Sequence, residues 1–179
     1  KDAAGRIEIL YNPLPVVVSP EDAMANGAPL IWKEISDNTF CLDAFGDEAK
    51  TEALFGQAVH TVSIKLHNNR VYGHPMEPRA AIGEWRHKDD SICLFAGGQG
   101  ITIQRFALRD LFGVEEDKVR IVCRDVGGGF GTRALLFPEF VFTVWASKRI
   151  NRPVKWTGDR SEIFVSDPEA RDMETHAEL

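Results

Sequence analysis

The sequence predicts an α+β fold. Short strand-like runs recur along the chain, and only a few stretches keep a helical apolar period. The two most glycine-rich segments each fall between a predicted strand and a predicted helix.

The elements follow in order. Residues 6–11 alternate and predict a strand, which Asn12-Pro13-Leu14-Pro15 breaks. Val16-Val17-Val18 is a short extended run. Ser19 then caps a helix with Pro20 in its first turn and Glu21 and Asp22 at the positive dipole end; Asn26-Gly27-Ala28-Pro29 stops it. Residues 27–45 are rich in Pro, Gly, Asp and Asn, without a long apolar face, and read as a linker. A second unit is expected from residue 46. Asp47 caps a helix to about Gln57 with Ala49, Ala53 and Leu54 as its apolar face. Strands are predicted at 59–67, 79–86 and 91–96, with a turn at Lys88-Asp89-Asp90. Ile101 to Phe112 predicts a helix closed by Gly113, and residues 119–123 a strand. After a glycine loop comes an apolar helix near 136–148. Val154 to Thr157 predicts a strand, Asp159 to Glu162 a turn or short helix, and 171–179 a last strand.

With 179 residues, 44% hydrophobic and 27% charged, the chain suits one domain or one plus a fragment. The net charge of -6 gives no basic field for nucleic acid. The short basic cluster Lys148, Arg149 and Arg152 reads as a helix C-terminus favoured by the dipole. Cys41, Cys93 and Cys123 are far apart with no C-x-x-C, so neither zinc nor an iron–sulfur cluster is expected within the chain. A reducing, cytoplasmic setting is expected. No apolar run approaches the ~20 residues of a membrane span, and no signal peptide is visible. Strand-like runs stand almost at both termini, so both ends are expected to continue in something longer.

The most informative segment is Gly127-Gly128-Gly129-Phe130-Gly131, four glycines in five residues. Such a run suits positive φ or a backbone pressed against a ligand, with N–H groups near a helix start free to face an anionic or electron-rich group. A tight turn with no ligand is the plain alternative. A P-loop is excluded because Gly127 to Thr132 holds no Lys, and a dinucleotide fingerprint needs a non-glycine third position. The second segment is Gly97-Gly98-Gln99-Gly100, bare backbone around a neutral amide that could bond an oxo group without adding charge. Its plain alternative is a helix-start turn with Gln99 solvated.

Together these loops resemble the large subunit of the molybdenum hydroxylases, the superfamily of xanthine dehydrogenase, aldehyde oxidase and carbon monoxide dehydrogenase. The resemblance runs through Tyr11-Asn12-Pro13-Leu14-Pro15-Val16-Val17, Asn68-Asn69-Arg70, Met76-Glu77-Pro78-Arg79-Ala80, Gln99, the segment from Asp125 to Gly131, Phe137-Pro138-Glu139, and Arg152-Pro153-Val154-Lys155-Trp156-Thr157 with Asp159-Arg160-Ser161-Glu162. It implies that residues 1–26 are the tail of an a/b hammerhead domain and 46–179 the first part of a molybdopterin-binding domain. It implies a molybdopterin cofactor, in its cytosine dinucleotide form, with 2Fe-2S clusters and FAD on partner subunits or domains. Gln99 matches the glutamine whose amide approaches an oxo group of molybdenum without ligating the metal. Gly98, Gly128, Gly129, Phe130 and Gly131 match cofactor-binding positions, with the Phe130 ring lining the substrate funnel. The family reaction is hydroxylation of an aldehyde, N-heterocycle or CO-like small substrate with water as the oxygen source.

The family's catalytic glutamate lies downstream, so no catalytic residue is expected in this chain, and the isolated segment is expected to be inactive. Purine-oxidising members carry an acid where Ala134 stands, which argues against a purine oxidase and leaves Arg133 to face an anionic or polar group. A non-catalytic binding or interaction module keeping this fold is the alternative function. Glu77 and Arg79 are expected to form a structural ion pair. The five histidines are scattered, without H-E-x-x-H spacing, and the four tryptophans are expected in the core or at contacts.

Overall fold

The computed structural model describes residues 4–179. The chain divides into two compact units, one of residues 70–171 and one of residues 1–69 with 172–179.

In the second of these, α1 (Pro20–Met24) starts where Ser19 Oγ accepts the Asp22 N–H at 3.1 Å. In α2 (Glu48–Phe55), Asp47 accepts the Lys50 N–H at 3.0 Å. Both caps are the ones the sequence announces. Asn38 ties the segment between them: its amide nitrogen donates to the carbonyls of Ala23 and Pro29 and its oxygen accepts the Ile31 N–H. β1 (Ser63–Asn68) pairs antiparallel with β6 (Met173–Glu178), Ser63 opposite Glu178. The strand expected at 6–11 does not form. Residues 4–6 make a single 3-10 turn and 7–18 are irregular, with Ile7, Ile9, Leu10 and Tyr11 exposed. The alternation is real but has no ladder partner among the described residues, and a lone strand has nothing to hold it. The expected apolar face of α2 likewise meets no core, with Leu54 exposed.

Residues 70–171 hold a four-stranded sheet in the order β4-β3-β2-β5. β2 (Ala80–Arg86) and β3 (Ser91–Ala96) form an antiparallel hairpin. α3 (Ile101–Phe112) carries the chain across to β4 (Val119–Val122), which lies parallel to β3. Gly113 ends α3 at φ 62°, the left-handed cap that favours glycine. α4 (Pro138–Ile150) leads to β5 (Val154–Thr157), antiparallel to β2, and α5 (Arg160–Ser166) follows. Pro138 occupies the first turn of α4, and Lys148 and Arg149 its last, as their dipole preferences require. In α5, Glu162 accepts the Asp159 N–H at 2.7 Å, so the expected turn is a capped helix.

Strand alternation sends Ala81, Gly83 and Trp85 of β2, with Ile92, Leu94 and Ala96 of β3, to one face. Leu108 of α3 and Phe140 and Val144 of α4 close the core on that face. At Gly83 the helix touches the strand: a Cβ there would lie 2.5 Å from the Val144 nitrogen. Ser147, one turn further along α4, accepts the Trp85 N–H at 2.9 Å.

Candidate functional site

The sheet topology gathers the informative loops at one end of the unit. β3 and β4 are parallel, so the segments leaving their carboxyl ends, 97–100 and 123–135, emerge side by side. β2 runs antiparallel to β3, so the Met76-Glu77-Pro78-Arg79 segment that enters it lies at the same end. β5 pairs with Thr157 opposite Ala80, which brings α5 there too. The carboxyl ends of parallel strands are where α/β sheets characteristically bind ligands.

Hydrogen bonds then join the loops. The Gln99 N–H donates to the Arg133 carbonyl at 3.0 Å, and Gln99 Oε1 accepts the Gly131 N–H at 2.8 Å. Gln104, fully buried in α3, donates from its amide to the carbonyls of Arg133 and Leu135. The same amide lies against Gly98, 3.0 Å from where a Cβ would stand. Thr132 closes the glycine turn, donating from both its N–H and its hydroxyl to the Gly129 carbonyl. Gly128 and Gly131 have φ of 107° and 86°, and Phe130 between them has 53°. A non-glycine residue held there carries strain of about 1–3 kcal/mol, which is characteristic of functional loops. Phe130 is 71% exposed.

The N–H groups of Gly128, Gly129 and Phe130 donate to no acceptor among the described residues, nor does the Gln99 side-chain nitrogen. Bare N–H donors on positive-φ backbone are the kind of group that binds anionic or oxo oxygens. This donor set fits a pterin carrying an oxo-bearing metal.

Behind the loops lies a buried ionic cluster. Arg79 and Asp167 pair directly, with Arg79 Nη2 on Ser166 at 2.7 Å and Glu139 at 3.2 Å, and the guanidinium 4.0 Å over the Phe137 ring. Tyr72 donates its hydroxyl to Asp167 at 3.0 Å. One expectation is corrected here. Glu77 and Arg79 form no ion pair: Arg79 turns inward to Asp167, while Glu77 accepts the Gly127 N–H at 2.6 Å. Arg133 faces an anionic and a polar group as expected, but both are the protein's own, Asp167 and the Glu77 carbonyl. It is 3% exposed and donates to the Glu77 carbonyl at 2.8 Å, with Nη1 3.7 Å from Asp167. Burial lowers its pKa from the ordinary value, against the pull of Asp167. Sequence reading missed Asp167, Gln104 and Tyr72, which stand in no motif; their partners lie 29–95 positions away.

Converging glycine-bordered loops at the carboxyl end of a parallel strand pair define a ligand-binding α+β domain. The chain belongs to the molybdopterin cofactor-binding domain family, whose profile matches residues 33–179. It is 32% identical over 191 residues to the carbon monoxide dehydrogenase large chain of Hydrogenophaga pseudoflava, covering 99% of this chain and 24% of that one. It is also 32% identical to the 6-hydroxypseudooxynicotine dehydrogenase complex subunit gamma of Paenarthrobacter nicotinovorans, covering 100% of this chain and 22% of the relative. Quinoline 2-oxidoreductase from Pseudomonas putida 86 superposes over 99% of this chain and 22% of its own, with a TM-score of 0.88 and 27% identity. The chain thus spans about a quarter of the length of these relatives. Nothing in the fold or the comparisons favours the non-catalytic alternative. Among the described residues no helix is long and apolar enough to cross a membrane.

Proposed function

We propose that this chain is the part of a molybdenum hydroxylase large subunit that frames one side of the molybdenum cofactor, with residues 1–26 the tail of an a/b hammerhead domain and 46–179 the start of the cofactor-binding domain. The convergence of Gln99 with the 127–131 loop carries this reading, because it leaves the Gln99 amide nitrogen and the N–H groups of 128–130 bare beside an exposed Phe130. Gln99 would hold its neutral amide donor toward an oxygen of the bound cofactor. Gly98, Gly128, Gly129 and Gly131 let backbone approach the pterin, and Phe130 walls off water from the substrate. The cofactor itself, in its cytosine dinucleotide form, supplies the redox chemistry of hydroxylating an aldehyde, N-heterocycle or CO-like substrate with oxygen from water. No catalytic residue is assigned to this chain, and alone it is inactive. The partners of this reading are 2Fe-2S and FAD subunits or domains, which would take up the electrons, in a cytoplasmic setting. Leu10, Phe40, Leu42, Phe45 and Val59, each more than 90% exposed, support a setting in which further protein covers them.

The test is molybdenum and pterin analysis of the full-length protein from a cofactor-competent host. Near-stoichiometric occupancy is expected, and a persistently empty protein would overturn the proposal.

A further inference from the structure

We propose that Glu77 is the positioning residue that aims the glycine loop at the cofactor; this rests on the function proposed above. Glu77 grips Gly127 from both sides. Its own N–H donates to the Gly127 carbonyl at 3.1 Å, and its Oε2 accepts the Gly127 N–H at 2.6 Å. The approach is so close that a Cβ on Gly127 would lie 2.5 Å from the Glu77 Cβ. On its other flank the carboxylate borders Gly97, 3.4 Å from where a Cβ would stand, and the Glu77 carbonyl accepts from Arg133 at 2.8 Å. One residue therefore touches Gly97 just after β3, the first residue of the glycine run, and Arg133 just beyond it.

The consequence follows from peptide geometry. A trans peptide points its N–H opposite its C=O. The chain has no cis peptide among the described residues, so the Gly127 carbonyl aimed at Glu77 turns the Gly128 N–H away from it. That N–H is the first of the unpaired donors at 128–130. Glu77 itself touches no cofactor position beyond the loop it holds. A carboxylate suits the task because its bond to a backbone N–H is charge-assisted and short.

The test uses the full-length protein with Glu77→Leu and Glu77→Gln. Leucine removes the acceptor, whereas glutamine keeps an oxygen for the Gly127 N–H. Amide hydrogen exchange is read at Gly127, Gly131 and Thr132, the loop residues whose N–H groups are bonded, with β2 and α4 as internal reference, alongside molybdenum content per polypeptide. In E77L, exchange in the loop should rise roughly 10- to 100-fold, the scale of one lost charge-assisted hydrogen bond. The reference elements should stay unchanged and molybdenum content should fall. E77Q should stay within about threefold of wild type, since an uncharged acceptor loses only part of the bond. Unchanged loop exchange in E77L overturns the proposal. So does a matched rise in loop and core, which marks a general folding role, and so does E77Q behaving like E77L. If wild type lacks molybdenum, the function proposed above fails, while the exchange comparison still decides whether Glu77 orders the loop.

Discussion

The side chain of Gln99 occupies the space a Cβ on Gly129 would need: that atom would stand 2.2 Å from Gln99 Cδ and 2.4 Å from Oε1. The neighbour is the end of an exposed, flexible side chain, so Gly129→Ala should expel the amide rather than break the fold. The stability cost is then one hydrogen bond, Gln99 to Gly131, or about 0.5–1.5 kcal/mol. Turnover of the full-length enzyme should fall far more, on the order of 100-fold, as when one preorganised donor leaves an oxyanion site. Denaturant unfolding and kcat, measured together, check the split. If Q99A and G129A impair turnover additively in the double variant, the two residues do not act as a pair.

Gly83 gives the opposite case. Its absent Cβ would meet the α4 main chain, 2.5 Å from both the Thr143 carbonyl carbon and the Val144 nitrogen. Main chain cannot swing aside, so Gly83→Ala must lift α4 from β2 and loosen the packing of Phe140 and Val144. Overpacking of this kind costs about 1–3 kcal/mol or more. A lower midpoint in denaturant with an unchanged slope is expected. A stability equal to wild type would show that α4 does not sit on the strand at this point.

Local chemistry wrote most of the fold legibly. Ser19 and Asp47 mark helix starts, Gly113 a helix end, and the hairpin of β2 and β3 lies where alternation and the Lys88-Asp89-Asp90 turn put it. The strand at 6–11 failed because alternation reports a two-faced segment and says nothing of a partner to pair with it. In the candidate site, the glycine runs and Gln99 stand out in the sequence because bare backbone is rare, and the fold brings them together. The cluster behind them was not. Asp167 is 88 residues from Arg79 and 95 from Tyr72, and only the antiparallel pairing of β5 on β2 brings the end of α5 to them. The same distance hid the true partner of Glu77, 50 positions away in Gly127.

Among the described residues, Asp167 is the only carboxylate within ion-pair distance of both buried guanidinium groups, paired with Arg79 and 3.7 Å from Arg133. Asp167→Asn keeps the shape and removes the charge, leaving two buried cations to repel each other. Breaking a buried pair from one side costs about 3–5 kcal/mol. The loss should appear in thermal unfolding of the full-length protein and should be partly relieved by Arg133→Met, which removes one stranded charge. A change of under about 1 kcal/mol, the scale of an exposed pair, would mean that solvent reaches the cluster.

Tyr72 adds a pH signature to the same cluster. Burial raises its pKa above the ordinary value near 10, and the hydrogen bond to Asp167 and the charge of Asp167 push it the same way. Arg133 and Arg160 pull it back. A raised folded-state pKa means that the folded protein keeps the phenol neutral while the unfolded chain ionises it. The stabilisation is therefore fully present below about pH 10, the unfolded value, and is lost as pH rises from there through the folded pKa. Tyr72→Phe should lower stability near neutral pH by about 1.5–3 kcal/mol, for the lost hydrogen bond to a carboxylate. It should also lose less than wild type does as pH rises above about 10, because no phenol remains to ionise. The measurement is unfolding free energy of both proteins across that rise in pH. The two curves should converge as pH rises; parallel curves would show that Tyr72 titrates alike in both states and that Asp167 does not hold its proton.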